Sequence, residues 1–504
     1  MGYFKNLIPT IPSKADRQTG DDEEQVVYNP FKIFAMISPI SWALYASGWF
    51  AWTMDAFDFF AVSLSLTRLS EAFDKSTHAL TTSITLTLLF RSLGAVLFGI
   101  IADRYGRKWT LVTNLCIIAA LQLGSGFIPN GGFKTFLAVR SLFGVAMGGI
   151  WGTSAATALE GLPVQTRGLM SGILQQGYAA GYLFACCVNL TVVQTSPHHW
   201  RVLFWIGSGL SLLAAIFRAV LPESAIFLQA RAEQRAAEAA PDYVPVNKTK
   251  VFFHELGQML KAKWINCILA VMLMAGFNFL SHGSQDLYPT YLQVSKGFTP
   301  HSATLATIVG NCGAITGGML AGYISQFLGR RLTIILFICF IGCMIPVWII
   351  PTSFGGLAAG AFLVQFGVQG AWGVIPVYLN ELSPPAFRGT FPGVAYQLGN
   401  MISSAAAQIE TTAGESLKTV VEGKTVPDYA KIQGILIGVV AAWTIIFTIL
   451  NGENHGSHFE SAKVGFQQGA GAGELASAHL DSDDRSFDGE KGGAKGETYH
   501  HERV

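Results

Sequence analysis

The run Gly99-Ile-Ile-Ala-Asp103-Arg104-Tyr105-Gly106-Arg107-Lys108 separates two apolar stretches, 80–101 and 109–128. Each is about 20 residues long, enough to cross a hydrocarbon core as a helix. The run reads as a tight glycine turn presenting a carboxylate and several cations at a helix end. It is not unique in the chain. Gly99, Gly106, Arg107 and Lys108 return 223 positions later as Gly322, Gly329, Arg330 and Arg331. A second block recurs at an offset of 221: Gly149, Trp151, Gly152, Glu160, Pro163, Arg167, Gly168, Gly172 and Gln176 return as Gly370, Trp372, Gly373, Glu381, Pro384, Arg388, Gly389, Gly393 and Gln397. Two homologous halves with a cavity between them is a transporter plan.

Outward from these turns, apolar runs fall at 41–65, 80–101, 109–128, 135–157, 168–191, 201–221, 264–288, 302–325, 332–350, 356–379, 388–410 and 432–450. The expected fold is therefore all-α and polytopic, with twelve transmembrane helices in two six-helix halves. The divisions are a disordered tail 1–36, a first half 37–221, a central loop 222–263, a second half 264–452 and a disordered tail 453–504. Charge supports this reading. Asp, Glu, Lys and Arg make up 13% of the 504 residues, about half the share usual in soluble proteins. Of these 65 charges, 35 lie in the two tails and the central loop. The rest are too sparse to solvate a globular surface, which excludes a soluble enzyme. No metal cluster, nucleophile elbow or phosphate loop points to an embedded enzyme, and no basic arm points to nucleic acid. The seven cysteines lie mostly in apolar runs and read as small packed side chains. The polar first 30 residues hold no cleavable signal, so the first span is expected to anchor the chain.

Lys and Arg set the orientation. Arg104, Arg107 and Lys108, Arg167, Arg330 and Arg331, Arg388 and the basic residues of 222–263 share one side with both termini. That side is expected to be cytoplasmic. Lys5, Lys14, Lys463, Lys491 and Lys495 in the tails offer acceptors for ubiquitin-dependent trafficking machinery, and solvated tails are the simpler reading. The chain is expected to be a monomer in the lipid bilayer.

The Gly99–Lys108 run, its echo and the twelve spans resemble the major facilitator superfamily over residues 37–452. Asp103, Arg104, Arg107, Arg330 and Arg331 are then candidates for a conformational latch between the halves. Leu221-Pro222-Glu223-Ser224 is similar to an element that follows the sixth helix in many members. A more specific stretch lies in span 7: Asn278-Phe-Leu-Ser281-His282-Gly-Ser284-Gln285-Asp286-Leu-Tyr-Pro-Thr290. It resembles the signature of the fungal Jen-type monocarboxylate/proton symporters, related to sialate/proton symporters. The resemblance implies uptake of lactate, pyruvate, acetate or related short carboxylates with a proton across a fungal plasma membrane. It implies no cofactor beyond the co-transported proton.

The same residues carry chemistry without the resemblance. At 100° per residue, Asn278, His282, Gln285 and Asp286 share one face of a helix. Such a stripe faces lipid only at a cost of at least about 2.5–3.5 kcal/mol per central charge. It should face a cavity, or else join helices as a polar seam. His282 and Asp286, four apart, can hydrogen-bond along the helix. Imidazole titrates near physiological pH, so the pair suits the symported proton; a substrate contact or a structural bond is the alternative for His282. Arg91 lies mid-span, beyond snorkelling distance, and its planar fork fits a carboxylate. An ion pair with Asp55, Asp58 or Asp286 is its other reading, and the two can alternate. Asp55 and Asp58 are three apart on span 1, and Arg140 lies inside span 4. Gln397 and Asn400 on span 11 are further candidates for substrate contact, as are Gln175, Gln176 and Tyr178 on span 5.

The function these residues suggest is alternating-access symport of a monocarboxylate with a proton. The alternatives are a facilitator-fold carrier for dicarboxylates, sialate or another solute, and a nutrient sensor that binds without transporting. The sequence leaves the preferred carboxylate open.

Overall fold

The structure, a computed structural model, describes residues 29–453 apart from 224, 239–247, 385–386, 388–389 and 422. Twelve helical passes run through these residues. Spans 1 to 3 are Pro39–Phe73, Thr77–Tyr105 and Arg107–Gly126. Span 4 is Phe133–Gly148 continued by Ile150–Leu159, and span 5 is Arg167–Gln175 continued by Gly177–Val188. Span 6 is Arg201–Val220. Span 7 is the later part of Lys248–Gln285 with Tyr288–Val294. Spans 8 and 9 are Pro300–Leu328 and Arg330–Ile349. Span 10 joins Phe354–Gly373 to Ile375–Leu382, span 11 joins Thr390–Ser403 to Ala406–Ser416, and span 12 is Tyr429–Leu450.

Local chemistry explains the ends. Ser38, Ser76, Thr299 and Ser353 cap spans 1, 2, 8 and 10 by accepting a backbone N–H three residues on. Gly106 and Gly329, the repeated turn residues, have φ of +109° and +88°. Side chains other than hydrogen pay for that conformation, so the turn requires glycine.

Ten of the helices among the described residues are long and apolar enough to cross a membrane. Spans 1 and 11 fall short of that measure. Span 1 carries Asp55 and Asp58, and span 11 carries Gln397, Asn400 and Glu410 and is interrupted near Ser404. These are the passes most needed inside the bundle, where protein rather than lipid satisfies their polar groups.

Three local features differ from the sequence reading. Pro30–Ala35, within the expected tail, is a short helix capped by the Asn29 side chain, with Ile33 buried. The expected central loop contains the helix Ala225–Glu238 and the first part of Lys248–Gln285, which kinks at Lys263. There Phe252 and Met259 pack with Phe387, beyond span 10. Between spans 11 and 12 an antiparallel hairpin forms from β1, Lys418–Val421, and β2, Lys424–Pro427. Its Val/Thr-rich strands turn at Gly423, φ +79°. The remaining tail residues, with Lys5, Lys14, Lys463, Lys491 and Lys495, and Arg388 and Gly389, lie outside the described residues.

The halves meet along two seams. Span 5 packs on span 8 so closely that a Cβ on Gly172 would sit 2.5 Å from the Gly318 carbonyl oxygen, and one on Gly168 2.9 Å from that of Gly322. Span 2 meets span 11, where a Cβ on Gly99 would lie 3.3 Å from Thr390 Cα. Small residues permit this approach, which lipid-phase helices need because apolar burial gives them little drive. The contacts between the halves use repeat-related glycines, Gly99 with Gly322 and Gly172 with Gly393, the last of which faces Gly152 of span 4, so the duplication in sequence becomes a pseudo-symmetric interface. The first and last spans begin and end beside the basic turns. Ser41 Oγ donates to Gly161 O, and Arg331 donates to Thr448 O and Ile449 O. We call this the basic end.

Candidate functional site

Two polar constellations lie inside the bundle, and Phe59 stands between them. On one side, Arg91 of span 2 reaches Asp55 of span 1, with a guanidinium NH2 3.0 Å from Oδ2 and both side chains buried. Arg91 Nε and Asp55 Oδ1 have no hydrogen-bond partner among the described residues, so each group keeps bonding capacity. Asp58 accepts from Ser211 Oγ at 2.7 Å. Arg140 donates to Gln122 at 2.9 Å, and Gln122 in turn donates to the Asp58 carbonyl. Of the alternatives open for Arg91, the structure holds it on Asp55.

On the other side, His282 Nδ1 is 3.0 Å from Asp286 Oδ2 and its Nε2 is 2.9 Å from Asn400 Oδ1. Asn400 Nδ2 donates to Gln397 Oε1 at 2.7 Å. Span 7 and span 11 are thus joined by a continuous chain, Asp286–His282–Asn400–Gln397. Both atoms facing the imidazole are acceptors in this arrangement, so it is fully satisfied when both ring nitrogens carry protons. The chain ends at Gln397 Nε2, a buried donor without a partner among the described residues. Asp286 Oδ1 is likewise unpartnered.

The Phe59 ring centroid lies 5.9 Å from the Arg91 guanidinium carbon and 5.9 Å from the His282 ring centroid. Below, toward the basic end, Tyr396 stacks on Trp151 at 4.7 Å and meets Trp372 edge-on at 5.4 Å. Trp151 and Trp372 are repeat equivalents, one from each half, converging on a single ring. Trp52 also abuts Tyr396 and stacks on Tyr178.

The other predicted residues occupy separate positions. Asn278, one turn from His282, donates to Met274 O at 2.8 Å and Tyr396 O at 3.3 Å, joining span 7 to span 11. Gln285 turns to span 10, donating to Gln365 Oε1 at 2.7 Å, beside a small cavity lined by Tyr182, Tyr288 and Asn311. Gln175 accepts from Trp151, and Gln176 donates to Gln369 O across the span 5 seam. Phe59, Tyr396, Gln365 and Glu410 were not singled out from sequence. The two rings had no contrast in apolar surroundings. Gln365 had a weak signal, a lone amide in an otherwise apolar stretch.

The latch candidates form a second network at the basic end. Arg107 pairs with Glu160 and lies 4.0 Å from Asp103. Arg330 grips Glu381 with two bonds, at 2.9 and 3.1 Å, and Glu381 is the repeat equivalent of Glu160. These ion pairs lie within each half. Of the latch candidates, Asp103 makes a bond across the halves, accepting from the Thr390 hydroxyl. Arg331 donates to the Thr448 and Ile449 carbonyls at the end of span 12, and the Arg104 guanidinium carbon lies 5.1 Å from the Tyr105 ring. Glu223, following span 6, accepts from the Lys108 N–H at 3.0 Å and presses on Gly106.

Comparison with known proteins agrees with this architecture. Residues 45–408 match the Major Facilitator Superfamily. The chain is 34% identical over 426 residues to a carboxylic acid transporter protein homolog of Saccharomyces cerevisiae, covering 82% of this chain and 69% of that protein. It is 26% identical to a cis,cis-muconate transport protein of Acinetobacter baylyi, covering 69% and 81%. Its fold is similar to that of the proton:xylose symporter XylE, with a TM-score of 0.65 at 17% identity, covering 83% of this chain and 98% of that one. The chain belongs to the major facilitator superfamily, a family of membrane transporters rather than enzymes, and groups with its Jen-type carriers.

Proposed function

We propose that the protein is a proton-coupled symporter that imports short monocarboxylates such as lactate, pyruvate and acetate by alternating access. The observation that carries this reading is the pair of constellations facing each other across Phe59: a buried arginine held by an internal acid, and a buried imidazole in a hydrogen-bonded chain. The similarity to a yeast carboxylic acid transporter homolog supports carboxylate as the substrate class.

In this reading a substrate carboxylate replaces Asp55 on Arg91, whose fork accepts either acid with similar geometry. The proton resides on the His282–Asp286 pair. With His282 protonated, Asn400 presents its oxygen to the ring and its amide to Gln397, which leaves Gln397 Nε2 available to donate to the substrate. Loss of the proton favours the flipped amides, Asn400 Nδ2 donating to His282 and Gln397 donating to Asn400, and this removes the donor. Proton occupancy and anion affinity are then linked through one chain of hydrogen bonds. Moving one proton with one monoanion also avoids work of about 2.3 kcal/mol per charge per 100 mV against an inside-negative potential.

The positive-inside argument puts the basic end in the cytoplasm, and the resemblance to fungal Jen-type symporters supports the plasma membrane as the location. Labelled lactate uptake measured across external pH in His282→Ala and Arg91→Lys tests the assignment. Loss of the acid stimulation in the first and weakened substrate binding in the second are expected. Unchanged transport and pH dependence in both would sink it.

A further inference from the structure

Span 11 carries a buried acid that the symport scheme leaves unused. Glu410 is 0% exposed. Its Oε2 accepts from Gln433 Nε2 at 3.3 Å, and Gln433 Oε1 accepts from Trp348 Nε1 at 3.3 Å. The tryptophan N–H thereby fixes the amide so that its NH2 group faces the acid. Glu410 Oε1 has no partner among the described residues. That oxygen lies against Gly283, where a Cβ would be 3.2 Å from it, so the acid packs on the turn of span 7 that carries His282 and Asp286.

Charge balance makes this acid informative. Between the basic-end network and the opposite end, the buried ionisable groups of the spans are Asp55, Asp58, Asp286, Glu410, Arg91, Arg140 and His282. Arg91 and Arg140 offset Asp55 and Asp58. A protonated His282 offsets one of the two remaining acids, and the other then has no cation. A lone buried carboxylate is strongly disfavoured, so an electrically neutral interior holds a second proton beside the His282–Asp286 pair. The elements packed on Ala406–Ser416 supply no compensating buried cation among the described residues. Span 7 presents His282 and Asp286. Span 12 presents its cap Asp428, Tyr429 and exposed Lys431. Span 2 presents exposed His78, β2 packs on the helix through Lys424–Pro427, and Lys418, two residues past the helix, is exposed.

We infer that Glu410 is a second proton-carrying group of the symport cycle, positioned on the far side of the His282–Asp286 pair from the basic end. It hands its proton to that pair, becoming a carboxylate as His282 becomes imidazolium, and is reprotonated from the aqueous phase at that end. Only O–H and N–H bonds change in the transfer. The inference rests on the symport reading above, and the experiment separates the two.

Purified protein in liposomes is given an inward proton gradient, and both uphill uptake of labelled lactate and gradient-free exchange of labelled for unlabelled lactate are measured. In Glu410→Gln, uphill uptake should fall at least about tenfold while exchange stays within about threefold, a split that a purely structural hydrogen bond would not produce. Equal effects on both, or on neither, would overturn the inference. His282→Ala is run beside it. Uphill uptake that survives His282→Ala defeats the symport site itself; uptake lost there but kept in Glu410→Gln defeats only the role of Glu410. Should Glu410→Gln fail to fold, the wild-type protein supplies the test, because a hydrophobic carbodiimide modifies the protonated acid. Peptide mapping should find label on Glu410 that increases as the medium is acidified, and absent or pH-independent label would overturn the inference.

Discussion

At the level of single residues, satisfaction of buried polar atoms decides what the site can bind. His282 is bracketed by two acceptors, and Arg91 keeps an unpaired Nε beside an internal carboxylate. Arg91→Lys preserves charge but not the fork, so the lactate concentration for half-maximal uptake should rise by about tenfold or more with the protein still in the membrane. Asn400→Leu breaks the chain between His282 and Gln397 while leaving the His282–Asp286 bond, and should flatten the pH dependence of uptake as His282→Ala does. The span 7 stripe and Arg91 were legible because ionisable groups stand out in apolar sequence. Phe59 and Tyr396 were not, since an aromatic in an aromatic-rich span carries no contrast. Glu410 was hidden differently. It is the last residue of the apolar run 388–410, next to Thr411, Glu415 and Lys418, and there it reads as a helix end at the membrane surface.

At the scale of elements, packing against glycine fixes the seams. Ser92 Oγ lies 3.4 Å from Met401 Sδ, joining spans 2 and 11 where the proposed alternating access would part or rock the halves. A Ser92→Cys/Met401→Cys pair should cross-link under oxidation and stop transport, with activity restored by reductant; full transport in the cross-linked protein would contradict a moving seam. Gly329→Ala places a Cβ at φ +88° and should cost about 1–2 kcal/mol, read as a lower thermal unfolding temperature of the purified protein. Span number and order followed from hydropathy. The breaks within spans 4, 5, 7, 10 and 11 did not, because a helix interrupted inside protein keeps its apolar composition. The hairpin between spans 11 and 12 was also missed, although its Thr-Val repeats about Gly423 held the signal.

At the scale of the whole molecule, the duplication seen in sequence becomes a pair of equivalent locks, Arg107 with Glu160 and Arg330 with Glu381. The second is bidentate and nearly fully buried, so Glu381→Gln should destabilise the protein by about 3–5 kcal/mol, measured as loss of thermal stability in detergent. Repeat spacing predicted that the halves correspond. It did not predict that Asp103 is bonded across the halves by Thr390, which has no counterpart in the quoted repeat. In the proposed cycle, the interior charge balance that isolates Glu410 is kept by moving a proton with the anion. The direct test is simultaneous recording of internal pH and labelled lactate in liposomes containing the purified protein, with an outward lactate gradient and no imposed proton gradient. Lactate efflux should carry protons out, raising internal pH in step with the label, and this pH change should vanish in His282→Ala. Lactate leaving wild-type liposomes with no accompanying change in internal pH would contradict proton coupling.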